Sequence, residues 1–523
     1  MPRLVFVLSL VLLLAGLRSP AHAAVDPASS CGALHGGGFG DLVDAPTQIL
    51  AAHWVAASSS LPAHCDITGY VANHVGFGML LPSPSQWNGK LVSRGCGGMC
   101  GIVATDFACD GALRASYACV QTDMGHTSSV TDAKWADHDL QALVDFGYRS
   151  THVSTVAAKA ITVAFYARAP RHNYFLGCST GGRQGMVSAE RFPADFDGIV
   201  AIAPAINETG SGMQLLWSVR ANLDAQGRPI LPAAKLGVLH DAVLDACDMD
   251  DGIKDGLIGD PRACHFDPER LLCKAGDGKD CLTRAQLDVV RKIYDGPADS
   301  QGRPLFTGGM QLGSELTWES TFIGTPGHPP SYRAFMNDFW RYVGFMSAPG
   351  PSYDAITQFD FDRDPQRLGG METLFSGSDP DLRSFARRGG KLLLAQGWND
   401  NSVAPLNVLD YYEGVTRFMG GRDATLGFAR LFTVPGMEHC QGGDGPWGIN
   451  YLTALDAWVE QGHAPDRLIG QHPKAGVAVD WGGTSFPLAA DKVAFARPLF
   501  LYPQTAFYRG TGNPDDPASY EAR

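Results

Sequence analysis

Along the chain, short apolar runs that end in glycine or a polar turn alternate with longer segments whose apolar residues recur every three or four positions. Residues 89–95 (GKLVSRG), 115–123 (ASYACVQTD) and 172–178 (HNYFLGC) are runs of the first kind, the pattern of strands buried on both faces of a parallel sheet. Residues 139–168 have the helical period, a second helix is expected from about Gly182 to Arg191, and 198–205 (GIVAIAPA) reads as another strand. From about 207 to 385 the alternation gives way to a stretch rich in Gly, Pro, Asp and aromatic residues. It resumes with a strand at 389–397 (GGKLLLAQG), a helix around 408–420, a strand at 429–436 and a helix near 451–462. Two independent domains in series would not explain why the strands resume. The pattern predicts one doubly wound α/β domain, residues 24–206 with 386–523, interrupted by an inserted lid at 207–385.

The first residues change the picture of where the protein works. MPR precedes the apolar run LVFVLSLVLLLAGL, and small residues ending Ala21-His22-Ala23 follow, the build of a secretory signal peptide over residues 1 to 23. The run is about 14 residues, short of the roughly 20 that span a bilayer. The expectation is export, to the periplasm or outside the cell. A net charge of −13 disfavours nucleic acid or an anionic membrane as partner, and leaves a small neutral or aromatic molecule open.

Twelve cysteines, all after the leader, fit an oxidised set of disulfides. They lack the paired short spacings and nearby histidines of a zinc site. Spacing predicts the local pairs Cys31–Cys65, Cys247–Cys264 and Cys273–Cys281, with pairing among Cys96, Cys100, Cys109 and Cys119 left open. The C-x-x-x-C at Cys96 and Cys100 reads as loop stapling, because a thiol-disulfide oxidoreductase needs C-x-x-C. Cys178 and Cys440 remain.

Residues 174–185 read YFLGCSTGGRQG. Strand, Gly177-Cys178-Ser179-Thr180-Gly181 and helix together give the context in which G-x-S-x-G becomes a nucleophile elbow, with the Ser179 hydroxyl held out at the strand's carboxyl end. Acid and base follow such a serine in the order Asp, His. Asp400 (AQGWNDNSVAP) and His439 (VPGMEHCQGGDG) each sit just beyond a later strand. His126 is the rival base but precedes the nucleophile; Asp444 adjoins the histidine and Asp410 falls within a helix, so both are weaker acids. The oxyanion hole is expected from the N–H of Thr180 and one from the loop RGCGGMCG, with Gly97 the candidate. Cys178 precedes the nucleophile and Cys440 follows the base, so a Cys178–Cys440 disulfide would tie elbow to base loop; free thiols and thiol catalysis by Cys178 are the competing readings.

Cys-Ser, Asp and His-Cys in this order, with the blocks GYRSTHVSTVAAKAI, YFLGCSTGGRQGMVSAERFPADFDGIVAIAPA, GWNDNSVAP, VPGMEHCQGGDGP and the tail RPLFLYPQTAFYRGTGNPDDPASY, resemble the tannase and feruloyl esterase family over most of the mature chain. The resemblance implies an α/β-hydrolase fold with a large inserted lid, and serine esterase chemistry on phenolic, hydroxycinnamic or benzoic esters, with tannase or terephthalate half-ester activity as alternatives. A non-catalytic binding protein on the same fold is the reading from another class. The resemblance also implies a structural calcium ion in the lid, with Asp248, Asp251 and Asp255 supplying carboxylates and Ile253 and Leu257 main-chain oxygens. On residues alone, CDMDDGIKDGLIGD could equally be an acidic turn, since it departs from EF-hand spacing. Substrate choice is expected in the lid segment SYRAFMNDFWRYVGF, where Tyr332, Phe335, Phe339 and Trp340 could pack a ring and Arg333 or Arg341 meet a carboxylate. At helical spacing the same residues could form the lid's own core.

Overall fold

The computed structural model describes residues 26–477 and 488–523; the leader expected at 1 to 23 lies outside them. Nine strands form the central sheet: β1 (Thr47–Val55), β2 (His64–Val71), β3 (Val75–Pro82), β4 (Lys90–Arg94), β5 (Ala118–Thr122), β6 (His172–Cys178), β7 (Gly198–Ile202), β8 (Lys391–Gly397) and β9 (Ala429–Val434). Their order is β1-β2-β3-β5-β4-β6-β7-β8-β9. From β5 to β9 every neighbour is parallel. The runs read as buried parallel strands form that half.

The other half is antiparallel and lies outside the strands read from the sequence: β1, β2 and β3 pair antiparallel, and β3 pairs antiparallel with β5. β1 carries the short apolar run Ile49–Ala52, but its buried and exposed positions interleave. The helix read over 139–168 is also broken: Leu140–Val144 passes through a π-helical turn, Asp145–Arg149, into Ser150–Tyr166.

Period-2 alternation sorts the parallel strands between two cores. Tyr174, Leu176, Val200, Ile202, Leu393 and Phe432 pack with Leu455 and Trp458 of the helix Tyr451–Gln461. Their neighbours Phe175, Ile199, Ala201, Leu392 and Leu431 pack with residues of the helices Thr180–Arg191 and Pro405–Phe418. Burying alternate residues against helices on both faces is what makes the strand sequences apolar throughout. Between β7 and β8, adjacent in the sheet, residues 207–385 contribute no strand to it. That stretch builds its own core around Trp318, Phe322, Phe339, Trp340 and Phe375, continuous with Met99, Cys96 and Cys100 of the loop after β4.

Six disulfides form: Cys31–Cys65, Cys96–Cys100, Cys109–Cys119, Cys178–Cys440, Cys247–Cys264 and Cys273–Cys281. Among the described residues no helix is long and apolar enough to cross a membrane.

Candidate active site

The elbow forms because the chain must turn from β6 into a helix within one residue. Ser179 takes φ 62° and ψ −126°, a conformation that costs a non-glycine residue of order 1–3 kcal/mol and persists only where the surroundings hold it. They do so through the backbone: Ser179 N donates to Ile202 O at 3.0 Å, and Ser179 O accepts from Arg183 N at 2.9 Å and Ala205 N at 3.2 Å. A Cβ on Gly177 would lie 2.4 Å from Gly181 O, so glycine is required there for close approach rather than freedom alone. Arg183, on the helix that follows, is wholly buried. Its Nη1 donates to Gly147 O and Phe375 O at 3.0 Å each, and its Nε lies 3.2 Å from Glu208 Oε2. The elbow helix is thereby pinned to the insertion.

Asp400 and His439 meet across the loops after β8 and β9. Asp400, fully buried, accepts from the N–H groups of Ser402 and Val403 at 2.8 Å each and from Gln396 Nε2 at 3.0 Å. His439 Nδ1 lies 3.0 Å from both carboxylate oxygens. A carboxylate held at Nδ1 selects the tautomer that leaves Nε2 free to accept a proton. Asn399 N donates to Met437 O at 3.0 Å, which zips the two loops together.

Ser179 and His439 line the same cavity of about 560 Å³, with Thr180 and the loop Gly95–Cys100. The N–H groups of Thr180 and Gly97 have no acceptor among the described residues, as donors reserved for a substrate oxygen would. Cys178 and Cys440 close a bridge over a separation of 262 residues, and its sulfurs and a His439 ring nitrogen lie within 4.8 Å of one another. Sulfurs joined to each other supply no thiolate, so this cluster is neither a metal site nor a second nucleophile.

The rivals fall elsewhere. His126 is buried, stacked on Trp135 at 3.8 Å, and its Nε2 sits 2.7 Å from Met99 O; burial lowers its pKa. It braces the loop after β4 and does not line the cavity. Asp410 and Asp444 are exposed and do not line it either.

Of the insertion's candidates, Tyr332, Phe335 and Phe339 line the cavity, and the Tyr332 hydroxyl bonds Ser402 Oγ, two residues past Asp400. Trp340 is instead core. Arg333 and Arg341 do not line the cavity; Arg341 donates to Tyr353 O at 2.6 Å and to Asp338. Sequence reasoning missed the Gln396 and Ser402 contacts and the pairing of Arg183 with Glu208. Arg183 and Gln184, adjacent inside the GGRQG stretch, are the polar signals that could have pointed there.

The acidic turn has its own arrangement. Asp248 Oδ1 accepts from Asp255 N at 3.1 Å and Gly256 N at 3.0 Å. Asp255 accepts from Leu257 N at 3.2 Å and from Arg497 Nη2 at 3.0 Å, an arginine from the C-terminal segment that spacing could not reveal. Among the described residues Asp251 accepts from Ile253 N alone, at 3.3 Å. Burial, then the charge of Asp255, pushes its carboxyl up to about 7. The carboxylate oxygens of the three do not all converge within 4.8 Å. Of the three, Asp255 contacts the Arg497 guanidinium; carboxylates gathered in so tight a turn are the donor type that a hard cation takes.

The model of the family described as tannase and feruloyl esterase matches residues 60–522. The chain is 34% identical to a mono(2-hydroxyethyl) terephthalate hydrolase of Piscinibacter sakaiensis, over 94% of this chain and 91% of that one. Feruloyl esterase B from Aspergillus oryzae superposes with a TM-score of 0.80 at 27% identity, covering 95% of this chain and 100% of that one. Another esterase from Aspergillus oryzae gives 0.82 at 28%, with the same coverage.

Proposed function

The chain belongs to the tannase and feruloyl esterase family, and from that premise we propose that it is an exported serine esterase that hydrolyses aromatic carboxylic esters through Ser179, His439 and Asp400. That it is a carboxylic ester hydrolase follows from its relatives. One observation carries the residue roles: His439 is held by Asp400 through Nδ1 and opens, with Ser179, on one cavity.

His439 Nε2 takes the hydroxyl proton as Ser179 Oγ adds to the ester carbonyl. Asp400 stabilises the resulting imidazolium and keeps the ring oriented. The N–H groups of Thr180 and Gly97 donate to the oxyanion. Collapse expels the alcohol, which leaves with the proton from His439, and a water activated by the same nitrogen releases the acid and restores Ser179.

Tyr332, Phe335 and Phe339 offer the aromatic wall that would hold the ring of the acid. The half-ester reading is favoured by the similarity to the Piscinibacter sakaiensis hydrolase, yet neither Arg333 nor Arg341 faces the cavity to meet a second carboxylate. A hydroxycinnamic or phenolic ester is therefore the first substrate to try. Comparing kcat/KM for methyl ferulate, methyl gallate and a terephthalate half-ester tests this; a preference of tenfold or more for the half-ester would refute it.

Asp248, Asp251 and Asp255, with the main-chain oxygens of Ile253 and Leu257, would hold a calcium ion. That ion would neutralise the turn beside the Cys247–Cys264 bridge and has no part in the reaction. Export agrees with the leader-like residues 1 to 23 and with six disulfides, which persist in oxidising compartments.

A further inference from the structure

The six bridges differ greatly in the length of chain they close, and Cys96–Cys100 spans a separation of only four residues, the shortest of the described set. Because the entropic gain grows with the loop closed, this bridge contributes least to global stability. It also lies where stability is not the issue, since both its cysteines line the cavity with Gly97 and Gly98 between them.

Three contacts bind this loop to the first turns of the helix that starts at the nucleophile. Thr180 Oγ1 donates to Gly98 O at 2.8 Å. Gln184 Nε2 donates to Cys96 Sγ at 2.9 Å. Gly95 and Gly181 meet backbone to backbone: a Cβ on Gly95 would lie 2.5 Å from Gly181 Cα, and one on Gly181 2.9 Å from Cys96 O. On its far side the loop is tied by Met99 N to Val130 O at 2.8 Å and Gly101 N to Asp123 O at 3.0 Å. Cys100 itself sits at φ 60°, a left-handed conformation that a residue with a Cβ holds only under constraint.

We propose that the Cys96–Cys100 disulfide is a positioning device for the oxyanion hole: it holds the Gly97 N–H in register with the Thr180 N–H, and its removal weakens transition-state stabilisation without unfolding the enzyme. The inference rests on the serine esterase reading above. Two donors act together only when both point at the atom that becomes negative, so a loop free to tilt loses part of their effect while ground-state binding persists.

The test compares the double variant Cys96→Ala/Cys100→Ala with Cys109→Ala/Cys119→Ala, which removes a bridge that closes ten residues and whose cysteines do not line the cavity. With methyl ferulate, the first is expected to lower kcat by about ten- to a hundredfold with KM within about twofold. Its affinity for phenylboronic acid, which mimics the tetrahedral oxyanion, should fall by a similar factor, while inhibition by free ferulic acid stays unchanged. The second is expected to shift the melting temperature and leave kcat within about twofold. An unchanged kcat, or a lower kcat with boronate affinity intact, overturns the proposal. Should the first variant not fold, Gln184→Met keeps the bridge and removes its contact; a smaller loss of kcat and boronate affinity together is then expected, and no loss of either overturns the proposal. Wild type and Ser179→Ala run alongside: if wild type does not turn over the ester, the serine esterase reading itself has failed, whereas an active wild type, a dead Ser179→Ala and an unimpaired bridge variant would sink this inference alone.

Discussion

Asp400 and Asp251 are both carboxylates in tight loops, and their surroundings are opposite. Asp400 is fully buried and accepts from two backbone N–H groups, a glutamine amide and the imidazole of His439. Asp251 has one long backbone bond and two carboxylates for company, and burial first, then the charge of Asp255, pushes its carboxyl up to about 7. A carboxylate whose lone pairs are all taken by fixed donors is a part ready for use. One crowded by its own kind is disfavoured as an anion. The same side chain is thus held by fixed donors in one loop and crowded by like charge in the other, and the difference lies in what the neighbouring backbone supplies.

The comparison can be broken first at Asp400. Asp400→Asn keeps the loop's shape but offers His439 an amide in place of a charge, and is expected to lower kcat by about 10⁴-fold with a melting temperature close to wild type. A loss below tenfold would mean that Asp400 does not orient the base. Next in size is the long bridge. Cys178→Ala/Cys440→Ala is expected to cost up to about 5 kcal/mol of stability in the chain-entropy model, read from denaturant unfolding, together with a partial loss of kcat; unchanged stability would show that the bridge constrains nothing.

At the other loop the expected pattern reverses. Chelation with EGTA, or Asp251→Asn, should cost about 1–2 kcal/mol, which in a chain of this length lowers the melting temperature by about 1–2 °C, while kcat at 25 °C stays within about twofold. Mass spectrometry of the native protein would find one calcium in wild type and none in the variant. A variant that kept its metal would remove Asp251 from the ligand set. The smallest effect is set at the contact joining lid to acid loop: Tyr332→Phe loses the bond to Ser402 Oγ and is expected to change kcat/KM for methyl ferulate by less than about tenfold, through KM more than kcat. A larger effect on kcat would make Tyr332 part of the catalytic loop's support.

Much of this was legible because it is local. An elbow needs glycine at fixed offsets, so Gly177 and Gly181 exposed Ser179 as the candidate; loops that follow apolar strands delivered Asp400 and His439 to the same sheet edge. Cysteines flanking those residues pointed to the long bridge, which the structure contains. What stayed hidden depends on partners far along the chain. β1 fully buries only Thr47 and Ile49, so its short apolar run does not read as a strand of the core. Four cysteines between 96 and 119 allow three pairings, and only the packing of β5 against the preceding short helices selects Cys109–Cys119. Arg497 meets Asp255 across 242 positions, and Arg183 is buried against an insertion whose glycines, prolines and aromatics carry no repeating pattern. The aromatic stripe at 332–340 was ambiguous for a physical reason: one helix turns Tyr332 and Phe335 to the cavity and Trp340 to the lid's core.

The central claim is that Ser179, activated by a base that Asp400 holds, is the attacking group. Intact-protein mass spectrometry after a short exposure to a fluorophosphonate tests it most directly. One adduct is predicted on wild type, mapped to Ser179, formed far more slowly in Asp400→Asn and absent from Ser179→Ala, which should also hydrolyse methyl ferulate at least about 10⁴-fold more slowly. An adduct on another residue, or a Ser179→Ala enzyme that still turns over the ester at the wild-type rate, would contradict it.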